Sequence, residues 1–451
     1  MSGKLQRRQF VKVAGAFITT APIGRSFRVG MSVEKLRTAH IGVGGMGGAD
    51  LASISSHPQV EVAGLCDVDA NRLASAHKKH KQARTFSDYR QMLSEMGDSV
   101  DAVVVSTPDH THAPAAMSAM NLGKPVYCQK PLTHEVFEAR RLNQVAQEKE
   151  LATQMGIQIH SAAAYRRAKQ MIQDGMIGPV SHVHAWSSKN WGYDGKAFQS
   201  QAGPPANLDW DLWMGTAAMR PYVPKVYHPG SWRRLIDFGT GTLGDMGVHI
   251  FDTPYGALKL TAPHTVRTEC REPTGIGHPS RNVVEYEFPG TDYTTESMIW
   301  KWYDGADAPP SAEDLALTGE FQLPKSYKLP GQGSLFVGQQ GVMVLPHVGE
   351  AILFPEAKFK DQARPEVDNL NHYHQWVDAC MGNGKASANF SYAGPLTEAL
   401  LLGVVANRFP GKTLAWDAEN MQVTRCPGGS VDAANQLLKT AYRKGFSVEN
   451  L

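Results

Sequence analysis

A lysine, an aspartate and a histidine carry the most legible chemistry in this chain. Lys130 stands in Gln129-Lys130-Pro131, just after the apolar run from Lys124 to Cys128. A lysine held at the end of a buried strand, partly desolvated, can donate to a developing alkoxide or relay a proton. Asp245 and His249 are four residues apart in Gly239-Thr240-Gly241-Thr242-Leu243-Gly244-Asp245-Met246-Gly247-Val248-His249. On a helix that spacing sets them one turn apart on one face. A carboxylate beside an imidazole fixes its tautomer and raises its basicity, so the pair could take a hydroxyl proton while hydride leaves the carbon. The glycines before them let backbone or a cofactor come close. The bland alternatives are a surface lysine and a structural Asp/His pair. No further His or Cys is set out nearby as a ligand, so no metal is expected.

The elements that must position these groups begin at Leu36. An apolar run to Val43 reads as a buried strand and enters Gly42-Val43-Gly44-Gly45-Met46-Gly47. A helix pattern follows to about Ser56, then a second strand, Val60 to Leu65, ending at Cys66-Asp67-Val68-Asp69. Gly42 permits the tight turn, Gly44 lets backbone approach a pyrophosphate, and Gly47 lets helix and strand pack. The helix N-terminus offers free N–H groups to the phosphates. Asp67, 20 residues after Gly47, can accept from ribose hydroxyls, which favours NAD over NADP. The alternation continues through strands at Ala102–Ser106, Lys124–Cys128 and Ala152–Met155, with helices at about Ala113–Leu122 and Glu135–Glu150. This is the grammar of a doubly wound parallel α/β sheet, a Rossmann domain over 36–156. Ligands sit at strand carboxyl ends in such sheets, where Gly44, Asp67, Thr107 and Lys130 all fall.

Beyond residue 157 the pattern changes. Val266, Thr268 and Cys270, and then Val284, Tyr286 and Phe288, alternate with polar residues. Period two predicts half-exposed antiparallel strands. A C-terminal α/β domain over 157–451, with an open, mostly antiparallel sheet, is therefore expected. The irregular stretch Lys301 to Gly333 is long enough to be functional or a subunit contact. Five of the nine tryptophans (186, 191, 210, 213 and 232) lie close together. Indole faces suit sugar rings, although a small aromatic core pinning a loop explains them equally well. Gln158 and His160 could reach the cofactor, and Tyr165, Trp232 and Arg233 could line a sugar pocket. His372 and His374 are two apart and do not share a helix face, so they read as structural.

Composition narrows the field. A net charge of +2 on 451 residues gives no argument for a nucleic-acid partner. The five cysteines lie at least 46 apart, which excludes CxxC redox pairs and cysteine zinc sites, and the odd count argues against a full disulfide framework. No apolar run is long enough for an ordinary membrane span. The segment 1–30 holds six cations and no acid, with Arg7-Arg8-Gln9-Phe10 before a mildly apolar stretch. It resembles a twin-arginine export signal, so a periplasmic protein is expected, or a cytoplasmic one if the segment is no signal. No clean cleavage site is visible, leaving removal or retention as a membrane anchor both open.

Taken together, these motifs resemble the Gfo/Idh/MocA family of sugar and cyclitol oxidoreductases. The matching pieces are the glycine loop, Thr107-Pro108 with His112, Gly123-Lys124-Pro125-Val126 running to Lys130-Pro131, and Gly244-Asp245 with His249. The resemblance implies bound NAD, a small sugar or glycoside substrate, and a homo-oligomer (dimer or tetramer) formed through the open sheet. It implies Lys130, Asp245 and His249 as catalytic residues. The cofactor site would comprise Gly42, Gly44, Gly45, Met46, Gly47, Asp67, Ser106, Thr107, Pro108, His112, Gln129, Lys130 and Gln158. The substrate would meet His160, Tyr165, Trp232 and Arg233. Gln129 replaces the family's usual glutamate, removing a charge beside Lys130. Free NAD is not expected outside the cytoplasm, so an exported member would stall after one oxidation unless its cycle closes on itself. Three readings follow: an oxidoreductase with tightly bound NAD, a redox-neutral glycoside hydrolase working by oxidation, elimination, water addition and re-reduction, and a non-catalytic NAD-binding sensor.

Overall fold

Short runs of Val, Ile, Ala and Leu, buried on both faces, build the first sheet. Its strands are β1 (Leu36–Ile41), β2 (Val60–Cys66), β3 (Arg84–Phe86), β4 (Ala102–Val105), β5 (Val126–Gln129) and β6 (Thr153–Gly156). All neighbours are parallel, in the order β3-β2-β1-β4-β5-β6. The connecting helices include Met46–Ser55, His112–Asn121 and Val136–Glu148, each close to the range its periodicity predicts. Two further helices, Ala70–His77 and Tyr89–Met96, start at Asp69 and Asp88, whose side chains accept from the N–H two residues on. These aspartate caps satisfy first-turn donors that would otherwise be unpaired. The structure is a computed structural model describing residues 35–199 and 202–451; the export-like segment lies outside the described residues.

The second sheet has nine strands: β7 (Val180–Ser187), β8 (Thr265–Cys270), β9 (Asn282–Pro289), β10 (Thr294–Asp304), β11 (Gln332–Gly338), β12 (Val342–Pro346), β13 (Ile352–Phe354), β14 (Thr413–Asp417) and β15 (Gln422–Arg425). Their order is β13-β12-β11-β7-β10-β9-β8-β14-β15. Every pairing is antiparallel except β7 with β10. One face packs on the helices Ala163–Gln173, Val248–Ala257 and Phe390–Ala406.

The opposite face of this open sheet is partly covered. Leu315, Leu317, Phe321, Leu323, Tyr327 and Leu329 pack over Trp186, Tyr303, Leu335, Val342 and Phe354. The irregular stretch after Asp304 thus covers its own sheet, because its apolar side chains recur often enough to bury that surface. Lys301 to Asp304, expected to be irregular, end strand β10 instead. The helix His372–Cys380 returns to the first sheet, where Trp376 and Val377 pack with Leu36, Ile54, Val104 and Tyr127. Lys35–Leu451 is accordingly one compact unit. All five cysteines are free.

Candidate active site

The carboxyl ends of β1, β2, β4 and β5 and the entrance of one helix converge on a groove. At β1 the chain turns through Gly42, whose φ of 82° is open to glycine, and where an added Cβ would lie 2.5 Å from the Ser106 carbonyl oxygen. Gly47 packs as closely: a Cβ there would lie 2.0 Å from the Gly42 oxygen. Asp67 accepts from the N–H of Val43 and of Asp69, both at 2.9 Å, and so ties the glycine turn to the loop after β2. Burial raises its pKa above the ordinary carboxyl value, and these N–H groups oppose the rise. Gly42, Gly44, Asp67, Arg72, Ser106, Thr107 and Pro108 line one end of the groove.

The other end is a cavity of about 410 Å³. It gathers Gly44, Gly45, Met46, Ser106, Thr107, Pro108, Gln129, Lys130, Gln158, Trp232, Arg233, Asp245 and His249, sequence-selected residues spread over more than 200 positions. Lys130 Nζ donates to Asp245 Oδ1 at 2.8 Å and to the Asp245 carbonyl at 3.0 Å. Arg233 Nε donates to Oδ1 at 3.2 Å and Trp191 Nε1 to Oδ2 at 2.8 Å. Burial alone would raise the Asp245 pKa; the Lys130 and Arg233 charges outweigh it and hold the carboxyl below its ordinary range. Arg233 also lies over the Trp232 ring at 4.3 Å.

The Asp245/His249 pair is not built as the helical spacing suggests. Leu243–Gly247 forms a π-turn before the helix Val248–Ala257 begins. A π-turn carries an i→i+5 hydrogen bond, so the four-residue spacing no longer stacks the two side chains. The Asp245 oxygens go to Lys130, Arg233 and Trp191 rather than to the imidazole. Among the described residues, His249 Nδ1 is buried with no hydrogen-bond partner. Burial, then the Lys130 charge, push its pKa well below the ordinary histidine value, so the ring is neutral.

Other sequence-selected residues stand elsewhere. His112 bridges the Pro131 and Thr107 carbonyls, at 2.9 and 2.8 Å, and braces the two turns from behind instead of facing the groove. His160 is paired with Asp252 at 2.8 Å and lines a separate cavity with Tyr392 and Lys169. Tyr165 also lines that cavity, and its hydroxyl reaches His347. Of the five clustered tryptophans, Trp191 and Trp232 line this cavity and Trp213 lines the other end of the groove. Trp186 is in the core, and Trp210 and Trp213 stack on each other at 4.9 Å. Gln129 is buried, and its amide donates to both oxygens of Asp50, at 3.0 and 2.9 Å. The charge absent at 129 is thus present at 50, from the first helix. Ser106 donates to the same carboxylate at 2.7 Å, and burial pushes the Asp50 pKa up to about 6.

Residues unmarked in the sequence complete the site: Arg72, Asp109, Lys189, Met246 and His347. A strap over 205–229 closes the Asp67 end. Asn207 and His228 bond the two oxygens of Asp69 at 2.8 and 3.0 Å, the Ala70 N–H donates to the Asn207 carbonyl at 2.8 Å, and Leu208 forms a β-bridge with Asp69. Leu212, Trp213 and His228 wall that end of the groove.

Comparison with known proteins bears on the identity of this groove. Residues 36–157 match the oxidoreductase family model described as an NAD-binding Rossmann fold, and residues 161–273 match that family's C-terminal alpha/beta domain. Together the two matches span more than half the chain. The chain belongs to the Gfo/Idh/MocA family. Among curated relatives, inositol 2-dehydrogenase of Salmonella typhimurium is 28% identical over 152 residues, 33% of this chain and 45% of that protein. D-xylose 1-dehydrogenase [NADP(+)] of Haloarcula marismortui is 28% identical over 251 residues, 52% of this chain and 65% of that protein. The chain thus spans about half the length of the curated relatives it matches. In fold, it resembles GenD2 from gentamicin A biosynthesis, solved with NAD, at a TM-score of 0.56 and 21% identity over 88% of this chain and all of that one.

The groove of this Gfo/Idh/MocA chain fits a dinucleotide. The side of Gly44 where a Cβ would stand meets the Arg72 side chain, at 2.2 Å from Cδ, so a cation lies against the glycine turn where phosphates would pass. The helix Met46–Ser55 has no side-chain cap and no acid in its first turn, leaving its N-terminal dipole for an anion. Asp67 stands at the ribose position of the Rossmann pattern.

Proposed function

We propose that this protein oxidises a ring hydroxyl of a sugar or glycoside, with NAD held in the groove through turnover. The observation that carries the reading is the Lys130–Asp245 contact at 2.8 Å, in one cavity with His249 and at the far end of the glycine groove. Bound NAD supplies the hydride acceptor. Asp245 takes up two of the lysine's N–H directions, through its carboxylate and its carbonyl, and aims the third at the cavity. There it donates to the oxygen being oxidised and stabilises it as its proton leaves. His249, kept neutral by burial, accepts that proton. Trp191 and Trp232 shape the wall against which a ring can lie, and Arg233 offers donors to its other hydroxyls.

The strap, pinned to Asp69 and walling the Asp67 end of the groove, favours a held cofactor. A held cofactor suits the export reading of 1–30 and favours, as a second reading, redox-neutral glycoside cleavage within one active site. The test is to purify the protein, determine the NAD(H) that accompanies it, and offer inositol, D-xylose, levoglucosan and aryl glycosides without added cofactor. Absorbance of NADH with a keto product supports oxidation. Sustained aglycone release with the cofactor returned to its starting state supports the redox-neutral cycle. Absence of both, with NAD bound, favours a sensor.

A further inference from the structure

The site cavity holds a second imidazole that the family match does not reach. His347 follows strand β12, beyond both matched segments, which end at residue 273. Its ring lines the same cavity as Lys130, Asp245 and His249, with its centre 5.6 Å from that of His249. Its backbone is fixed by a hydrogen bond from its N–H to the Gln332 carbonyl at 2.9 Å. Its Nδ1 lies 2.9 Å from the Tyr165 hydroxyl.

That contact decides the tautomer. Tyr165 is 3% exposed, and burial raises its pKa, so the phenol keeps its proton. Among the described residues the only hydrogen-bond acceptor placed for that proton is His347 Nδ1. A buried hydroxyl without an acceptor is costly, so the O–H donates and Nδ1 accepts. The ring is neutral, because burial, together with Lys189 and Lys130, lowers its pKa to about 4. A neutral imidazole accepting at Nδ1 carries its proton on Nε2. The Nε2 edge, opposite Tyr165, has no side-chain or backbone partner among the described residues and is left for the cavity.

We propose that His347, set by Tyr165, donates from Nε2 to a substrate hydroxyl oxygen next to the one that Lys130 and His249 engage, and so selects sugars bearing an oxygen there. This rests on the carbohydrate reading above. Tyr165 then acts as a positioning residue, and the sequence-based assignment of Tyr165 to the substrate becomes an indirect one.

Two measurements test this, and the first needs no substrate. Nitrogen–proton correlation spectra of histidine-labelled, NAD-loaded full chain, with His347 assigned by its loss in His347→Gln, should show the Nε2-protonated form. Tyr165→Phe should shift His347 towards a tautomer mixture. A dominant Nδ1-protonated ring would overturn the proposal, whatever the activity. The second uses whichever panel sugar the protein oxidises. His347→Ala should lower kcat/KM by about ten- to a hundredfold, the effect of losing one hydrogen bond to a substrate group. His347→Gln, whose amide keeps a donor, should recover most of it, and NAD affinity by fluorescence titration should not move. The wild-type sugar lacking the neighbouring hydroxyl should show the same loss on wild type and none further on His347→Ala. Equal kcat/KM for wild type and His347→Ala would overturn the proposal while leaving the carbohydrate reading intact. No NADH from any sugar with wild type would instead count against that reading, and the tautomer alone then decides the His347 assignment.

Discussion

Two aspartate–histidine pairs flank the helix Val248–Ala257, and they are opposites. His160 and Asp252 are 92 residues apart in sequence yet bonded at 2.8 Å, with the Tyr392 hydroxyl donating to the same carboxylate at 2.7 Å. Asp245 and His249 are four apart, yet the carboxylate serves Lys130, Arg233 and Trp191, and the imidazole Nδ1 has no partner among the described residues. The satisfied pair is architecture: it joins the end of the first sheet to the helix beneath the site. The second histidine lines the cavity that holds Lys130. Fully paired polar groups rigidify a fold, whereas an orphaned buried nitrogen calls for a functional explanation.

That contrast can be broken experimentally. The largest effect should come from Lys130→Met, which should lower kcat by about a hundred- to ten-thousandfold, as loss of an acid–base group does, while NAD still binds. Stopped-flow NADH formation and fluorescence titration check both halves. The next should come from the strap. His228→Ala combined with Asn207→Ala should speed NAD release by about tenfold or more, from two lost hydrogen bonds to a carboxylate, measured by exchange against excess labelled NAD. His160→Gln should do the reverse of Lys130→Met: it should cost roughly 1–3 kcal/mol of stability, read by thermal unfolding, and leave kcat within a few-fold. A large kcat loss there, with stability unchanged, would erase the distinction between the pairs.

Asp50 should affect stability alone, through pH. Its folded pKa of about 6 lies above the ordinary carboxyl value of 3.8. Between those values the unfolded chain loses the proton first, so stability falls as pH rises through this window, by on the order of 3 kcal/mol. Asp50→Asn should flatten that slope in unfolding midpoints taken from pH 4 to 7.

Much of the first sheet was legible because its strands are continuous apolar runs ended by glycines and prolines. Lys130 and Thr107 were legible because parallel strand ends point at ligands whatever the detail. The helices over 70–96 start at aspartate caps, and the second buries Met92, Leu93 and Met96 at helical spacing, a short stripe of under three turns. The strap and His347 were hidden for another reason: Asp69 to His228, and Tyr165 to His347, are contacts across more than 150 residues, which no local pattern records. Asp245 and His249 line one cavity, but not with the pairing that a regular α-helix implies, since the backbone widens there. His160 was misplaced for lack of any signal that Asp252 would claim it.

That widening has a consequence of its own. The π-turn at Leu243–Gly247 holds one residue more than an α-helical path would need. Each helical residue turns the chain by about 100°. A gene shortened by a single codon at Gly244 would still encode Lys130, Arg233, Asp245 and His249, but the helix would rewind and swing Asp245 away from its partners. At this turn the site depends on the count of residues as well as on the identity of Asp245.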